Sequence, residues 1–372
     1  TTPDGGDETF GVPIPVVGTS PNGGSVLGFL LAVVSETDGH IDSILAPVAL
    51  YNDLTGYNLD INYFGFPTEY ISYQLYLSHT TEDFWEYSIE YQQKEFIYEN
   101  LRINSEVAFS RAASERFFGI GPETEEDSES TYTERKIEGY LTCTTKIVEN
   151  FSIALGFKGR RNWLRDGVIE DVENLEDKFS NIKGVEGSYT LAFEASVIYD
   201  TRDDDVSPAS GIFAQASIEI GDESVLSSFS FRRYTAQGTL YLPLDEDKRF
   251  VTVIRGKLQY LEGKDIPFFE LSSLGGAESL RGYGEGRFYD KHSILINLEQ
   301  RIRAFRFFAG DILLDVEAAI FADIGQVFPS FNDLEAEDIK VIGGVGVRFV
   351  VRSQIVAKVD IGYGDEGSAV YA

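Results

Sequence analysis

Histidine is the first place to look for acid–base or metal chemistry, and the chain has three: His40, His79 and His292. His292 opens an alternating segment beside a long turn-rich stretch, and the other two lie at segment ends. Such positions suit interfacial or turn roles better than the general base of a nucleophile. No Gly-x-Ser-x-Gly elbow and no His-Glu-x-x-His pair occurs. A single cysteine, Cys143, allows no intramolecular disulfide and no thiolate metal site. With 61 acidic residues, carboxylates fall close together by chance, so their proximity carries no signal for acid catalysis. Gly275-Gly276 is followed by no helical pattern, which argues for a loop bend over a phosphate cradle. The reading is non-enzymatic, with no metal and no cofactor expected.

Two groups of residues carry chemistry of another kind. Leu274-Gly-Gly-Ala-Glu-Ser-Leu-Arg-Gly-Tyr283 places Arg281, Gly282 and Tyr283 inside a long connection, 262–290. A guanidinium can make bidentate, charge-assisted bonds to carboxylates, and a glycine beside it permits a tight bend. The second group is Tyr199-Asp-Thr-Arg-Asp203, closed by Pro208 and Gly211. Asp200, Arg202 and Asp203 are expected to satisfy backbone groups and one another at a turn, with no chemistry needed.

The elements that must position these residues are strands. From about Ser25 to the end, runs of ten to fourteen residues alternate with period two, and no long segment has helical period. In Ser293–Ala304 the charges Glu299, Arg301 and Arg303 all occupy odd positions, opposite Ile294, Ile296, Leu298 and Ile302. The next segment repeats the pattern, with Asp315, Glu317 and Asp323 on one face, so Glu299 and Asp323 both point inward. Arg255 and Lys257 share the polar face of another segment and are expected to line a pore. Seventeen segments can be counted between 24–36 and a stub at 367–372. An even barrel of about 16 strands would turn one of those within 41–79 into a loop.

Short connections such as Asp245-Glu246-Asp247 and Arg352-Ser353 alternate with long ones at 111–130, 164–187, 262–290 and 325–338. Short periplasmic turns and long outer loops give that asymmetry, whereas a soluble sandwich would need several long unstructured loops. The fold class is thus all-β, a transmembrane antiparallel β-barrel with a long outer loop folded into a polar lumen. No stretch reaches the ~20 apolar residues of a spanning helix, and a mean hydropathy of −0.13 agrees, because only every second barrel residue meets lipid. The formal charge of −30 excludes nucleic acid as a partner. The acid runs Glu123 to Glu129 and Asp166 to Asp177 read as solvated loops. The expected division is a short periplasmic segment, 1–23, and a barrel domain, 24–372.

The Leu-Arg-Gly-Tyr motif, Tyr199-Asp-Thr-Arg-Asp203, Phe118-Gly-Ile-Gly121 and Phe321-Ala-Asp-Ile-Gly325 together span roughly 115 to 370. In them the chain resembles the BamA, TamA and two-partner-secretion surface-antigen superfamily of the bacterial outer membrane. That resemblance implies that the Arg281 loop folds back into the lumen and is held there by Glu299 and Asp323. It implies work in outer-membrane biogenesis or transport. The alternatives are a gated pore plugged by the Arg281 loop and a membrane anchor or oligomer for a separate protein. The partners implied are outer-membrane lipids including lipopolysaccharide, and a separate periplasmic protein or a second copy of the chain. Family members that assemble proteins carry periplasmic POTRA domains, and here only the segment up to about Gly23 precedes the first expected strand, so the expectation is a barrel-only member.

Overall fold

A computed structural model gives the protein's structure and describes residues 8–20, 24–37, 40–53, 56–81, 84–309, 312–351 and 355–371. Its main sheet has 18 antiparallel strands and closes on itself. In chain order they begin β1 (Glu8–Ser20), β2 (Gly24–Thr37), β3 (His40–Asn52), β4 (Gly56–Thr68), β5 (Ile71–Thr80) and β6 (Trp85–Gln93). The long strands β7 (Leu101–Phe117), β8 (Ser130–Val148) and β9 (Phe151–Asp166) follow, and then β10 (Ser188–Asp200), β11 (Gly211–Gly221), β12 (Phe231–Pro243) and β13 (Phe250–Gly263). A two-stranded hairpin, β14 (Ser272–Leu274) and β15 (Phe288–Asp290), lies inside the next loop and outside the barrel wall. The wall resumes with β16 (His292–Ala309), β17 (Ile312–Phe328), β18 (Lys340–Val351), β19 (Ile355–Gly364) and β20 (Gly367–Tyr371). Each wall strand pairs with its neighbour in sequence, and β20 meets β1 with Val370 opposite Thr19.

The barrel class expected from the alternation holds, with 18 strands in place of about 16. Both extra strands come from the beginning of the chain. All the segments within 41–79 are strands, and the stretch expected to precede the barrel contributes β1, paired with β2 along its whole length from Glu8↔Glu36 to Ser20↔Gly24. Gly11, Pro13, Pro15 and Gly18 obscure that strand in the sequence. Alternate residues of a strand send their N–H groups to the same edge, so Pro13 and Pro15 withhold donors from one edge only and leave the other free to pair. The short connection Arg352-Ser353 lies outside the described residues.

Outward positions form the apolar band that lipid requires, with Leu27, Phe29, Leu59, Phe109, Leu155 and Phe157 all exposed. Inward positions are mostly polar, as the alternation predicts. They are apolar on β2 and β3, where Ala32, Val34, Ile44, Ala46 and Val48 are buried on the inner face, so these two strands are apolar on both sides. A strand needs ~9–11 residues to cross the membrane. At 17, 19 and 16 residues, β7, β8 and β9 run well past that, and they project at the end where the long loops lie. There Phe117, Tyr132, Leu164 and Phe268 form a core between the strand ends and the loops, with α1 (Leu175–Lys178) contributing Leu175. A second core, with Leu274, Leu280, Tyr283, Phe321 and Ile342, lies within the lumen between the 264–291 loop and β16–β18.

Candidate functional site

The lumenal loop has the sharp bends its glycines suggest, at Gly275, Gly276 and Gly286, with φ of 118°, 95° and 60°. Gly282, expected to bend, has a different importance. A Cβ there would lie 2.7 Å from Ile342 Cδ1 and 3.0 Å from the Gly364 nitrogen, so only a glycine lets the loop lie flat on β18 and β19. The ring of Tyr283 is buried in the lumenal core, and the Tyr371 hydroxyl of β20 donates to the Tyr283 carbonyl. Turned inward by this backbone, Arg281 is 7% exposed in a wall that the alternation lined with acids.

Arg281 meets Asp323 with a two-pronged fork, Nε donating at 2.9 Å and Nη2 at 2.8 Å, while its backbone N–H donates to the same carboxylate at 3.1 Å. Its Nη1 donates to Glu299 and to Asp360, each at 3.0 Å. The guanidinium carbon lies 3.5 Å from the centroid of the Phe321 ring. Arg348 bridges the same two acids, at 2.8 Å to Glu299 and 2.8 Å to Asp360, and Arg301 donates to Glu299 at 2.7 Å. Asn297 ties the fork to the loop by donating to Asp323 at 2.8 Å and to the Ser279 carbonyl at 2.9 Å. Three guanidiniums (Arg281, Arg301, Arg348) face three carboxylates (Glu299, Asp323, Asp360), so the cluster is neutral and its charges are mutually satisfied. Such a network tolerates burial well, but removing one member strands a buried charge, at a cost of about 3–5 kcal/mol.

The structure thus brings Arg281 together with Glu299 and Asp323, and adds Asp360, Arg348, Arg301 and Phe321, which sequence reasoning did not single out. Their signal was parity, since Arg348 and Asp360 fall on the polar faces of their alternating segments. Arg255 and Lys257 lie on the inner face of β13, and Arg255 donates to the Glu278 carbonyl of the loop at 2.8 Å. Lys358 reaches the Glu278 carboxylate at 3.1 Å. Below the cluster a cavity of about 210 Å³ is lined by Arg202, Tyr241, Arg281, Arg301, Lys358 and Asp360, among others.

Two further ionic contacts fix the outer part of the loop. Glu270, buried in a single turn, is gripped by Arg160 of β9 at 3.3 Å and Arg233 of β12 at 2.9 Å. Burial would raise its carboxyl, but these two arginines bring it below the usual range. Arg287, almost wholly enclosed, bonds Thr124 at 2.8 Å and Glu366 at 2.6 Å, joining this loop to two others.

In the β10–β11 turn, Arg202 forks onto Asp200 at 2.9 and 2.7 Å and lies over Phe213. Asp203 accepts from the Ala209 and Ser210 N–H groups, each at 2.9 Å, and from Lys248 of the next turn at 2.7 Å. Partial burial would raise the Asp203 carboxyl, but Lys248 and the two N–H groups hold it down, to about 2. His292 is a packing residue: its Nδ1 accepts from the Leu261 N–H at 3.1 Å, and its ring stacks on Tyr260 at 4.3 Å.

A closed antiparallel sheet with an apolar outer band, a mostly polar inner face and a loop ionically bound in its lumen defines an outer-membrane β-barrel protein. Residues 62–363 match the Omp85 superfamily domain, and the chain belongs to that superfamily. It is similar in fold to BamA from Haemophilus ducreyi lacking POTRA domains 1-3, at 15% identity and a TM-score of 0.60, covering 96% of this chain and 74% of that one. CdiB from Escherichia coli gives a TM-score of 0.60 at 12% identity, covering 100% of this chain and 63% of that one. CdiB from Acinetobacter baumannii gives 0.53 at 11% identity, covering 97% and 58%. The chain therefore spans less than two thirds of the length of either CdiB.

Proposed function

We propose that this barrel works without catalysis in outer-membrane biogenesis or transport, and that the Arg281 loop is the closure of its lumen. The observation that carries this reading is the set of ion pairs from Arg281 to Asp323, Glu299 and Asp360, which ties a loop of the outer side to three separate wall strands. A loop needed only for surface display gains nothing from such an anchor. A plug gains a defined closed state, and the cavity below the cluster leaves space on the far side of it. The non-catalytic part of the reading rests on the histidine environments, since His292 is occupied in packing.

Ion conductance of the purified protein in planar bilayers tests it, comparing wild type with Arg281→Ala. We expect a nearly silent wild type and at least tenfold more open time in the variant. Equal conduction by both would remove Arg281 as the closure. Silence of both would remove the pore and leave an anchor or assembly role for the barrel.

A further inference from the structure

Charge is distributed unevenly around the barrel wall. Lys94 is the first lysine or arginine of the chain, so all 31 of them lie beyond β6, and β1–β6 carry acids without them. On β4–β7 the outward positions are apolar and exposed, among them Leu59, Leu77, Ile89 and Val107. Residues of the opposite parity therefore face the lumen. They include Asp60 on β4, Glu86 and Glu90 on β6 and Glu106 on β7. Glu90 stands directly opposite Glu106, and Asp60 and Glu86 flank Ser78 of β5 as its two cross-strand partners. The four carboxylates form one acidic face, and Arg102, of the same parity as Glu106, lies apart from them near the periplasmic end of β7.

The rest of the wall is occupied differently. The inner faces of β2 and β3 are apolar, as Val34, Ile44 and Val48 show. Hydrogen bonds and ion pairs from the 264–291 loop to the wall reach β9, β12, β13, β16, β17, β19 and β20. Among the described residues none of them reaches β4–β8. On β8 the inward Lys136 is neutralised by Glu138 at 2.7 Å, and Arg160 of β9 is shared between Glu138 at 3.1 Å and Glu270 at 3.3 Å. The polar face that the loop leaves untouched is thus confined to β4–β8, and it is acidic. Two enclosed acceptors on it have no donor within the protein, Oδ1 of Asp60, a residue 8% exposed, and Oδ1 of Asn104 on β7. Water or a cation satisfies enclosed oxygens of this kind.

We infer that the passage closed by the Arg281 loop has this acidic face as its fixed wall, and that it conducts small hydrated cations in preference to anions. The inference rests on the transport reading above and gives it a substrate class. Carboxylates along a water-filled lumen, backed by a wall of low dielectric, concentrate cations and repel anions. Arg255, expected to line a pore, stands on the opposite side and is bonded to the loop itself. Movement of the loop therefore changes the width of the passage and leaves the selecting charges in place.

The test is the reversal potential of Arg281→Ala in planar bilayers under a gradient of KCl. We expect potassium to be preferred over chloride about fivefold near 0.1 M salt and the preference to fall toward unity near 1 M, where the Debye length shrinks from ~10 Å to ~3 Å. Loss of Arg281 also unbalances the lumenal cluster by one charge, so the deciding comparison keeps that background and changes the acidic face. Adding Glu86→Gln, Glu90→Gln and Glu106→Gln together should lower the preference to about a third, and Glu90→Gln alone should give an intermediate value. A preference for chloride, one that salt does not weaken, or one that both sets of variants leave unchanged overturns the inference and leaves the transport reading standing. Silence of Arg281→Ala removes the pore, and this inference with it. The salt dependence needs no change to the acidic face, so it decides the matter even where the glutamine variants fold poorly.

Discussion

Arg281 stays protonated under all ordinary conditions, so its grip cannot be released by pH in the way a histidine contact can. Release has to come from geometry. The geometric constraint least able to relax is Gly362 on β19, where a Cβ would lie 2.1 Å from the Arg281 carbonyl oxygen, a backbone atom that cannot swing aside. We expect Gly362→Ala to displace the loop and to conduct as Arg281→Ala does, with every charged residue of the cluster still present. Planar-bilayer recordings check this, and a silent Gly362→Ala would show that the loop tolerates displacement without opening. Arg281, Glu299 and Asp323 were legible in the sequence because their motif and strand parity point to the same inner face. Asp360 and Arg348 were not, although both fall on the polar faces of their alternating segments. Parity fixes the face of a strand, but their meeting with Arg281 also depends on height along the barrel, which is set by registers such as Arg348↔Lys358.

The loops and turns are held by ion pairs whose signs alternate along the chain. The lumenal loop presents Glu270 to wall arginines at its outer part and Arg281 to wall carboxylates deeper in, so a loop shifted along its own length would bring like charges together. The β10–β11 turn uses the same device on a smaller scale through Asp203 and Lys248. Because the Asp203 carboxyl is held near 2 in the folded protein against 3.8 ordinarily, its contribution is complete above pH ~4 and is lost as pH falls through about 2. The side chain is 31% exposed, so water screens the pair and the contribution is no more than about 1 kcal/mol. In urea unfolding followed between pH 5 and 2, Asp203→Asn should be less stable than wild type at the upper end and converge with it at the lower. A constant difference across that range would assign the effect to packing. The motif made this turn visible in the sequence, whereas Lys248 was hidden because it arrives from a neighbouring turn.

Over the whole molecule, fold class was the most legible property and strand number less so. Alternation of period two is a local signal repeated in every strand, but counting strands requires knowing where the wall begins, and β1 is disguised by prolines tolerated only at an edge. That edge meets β20 with Thr19 opposite Val370, and both side chains face outward, Val370 sharing the face of its partner Ile361. An antiparallel pair of this kind brings the Cβ atoms within reach of a disulfide, and Cys143, the one native cysteine, lies on a distant strand. Thr19→Cys/Val370→Cys should therefore crosslink cleanly within one chain. The crosslink separates two routes through the protein, one along the lumen past the Arg281 cluster and one sideways between β1 and β20. If opening is axial, currents in the Arg281→Ala background persist when the disulfide forms and are unchanged when it is reduced. If the disulfide silences them and reduction restores them, conduction depends on parting β1 from β20, and the cluster governs the seam from within through the contact of Tyr371 with Tyr283.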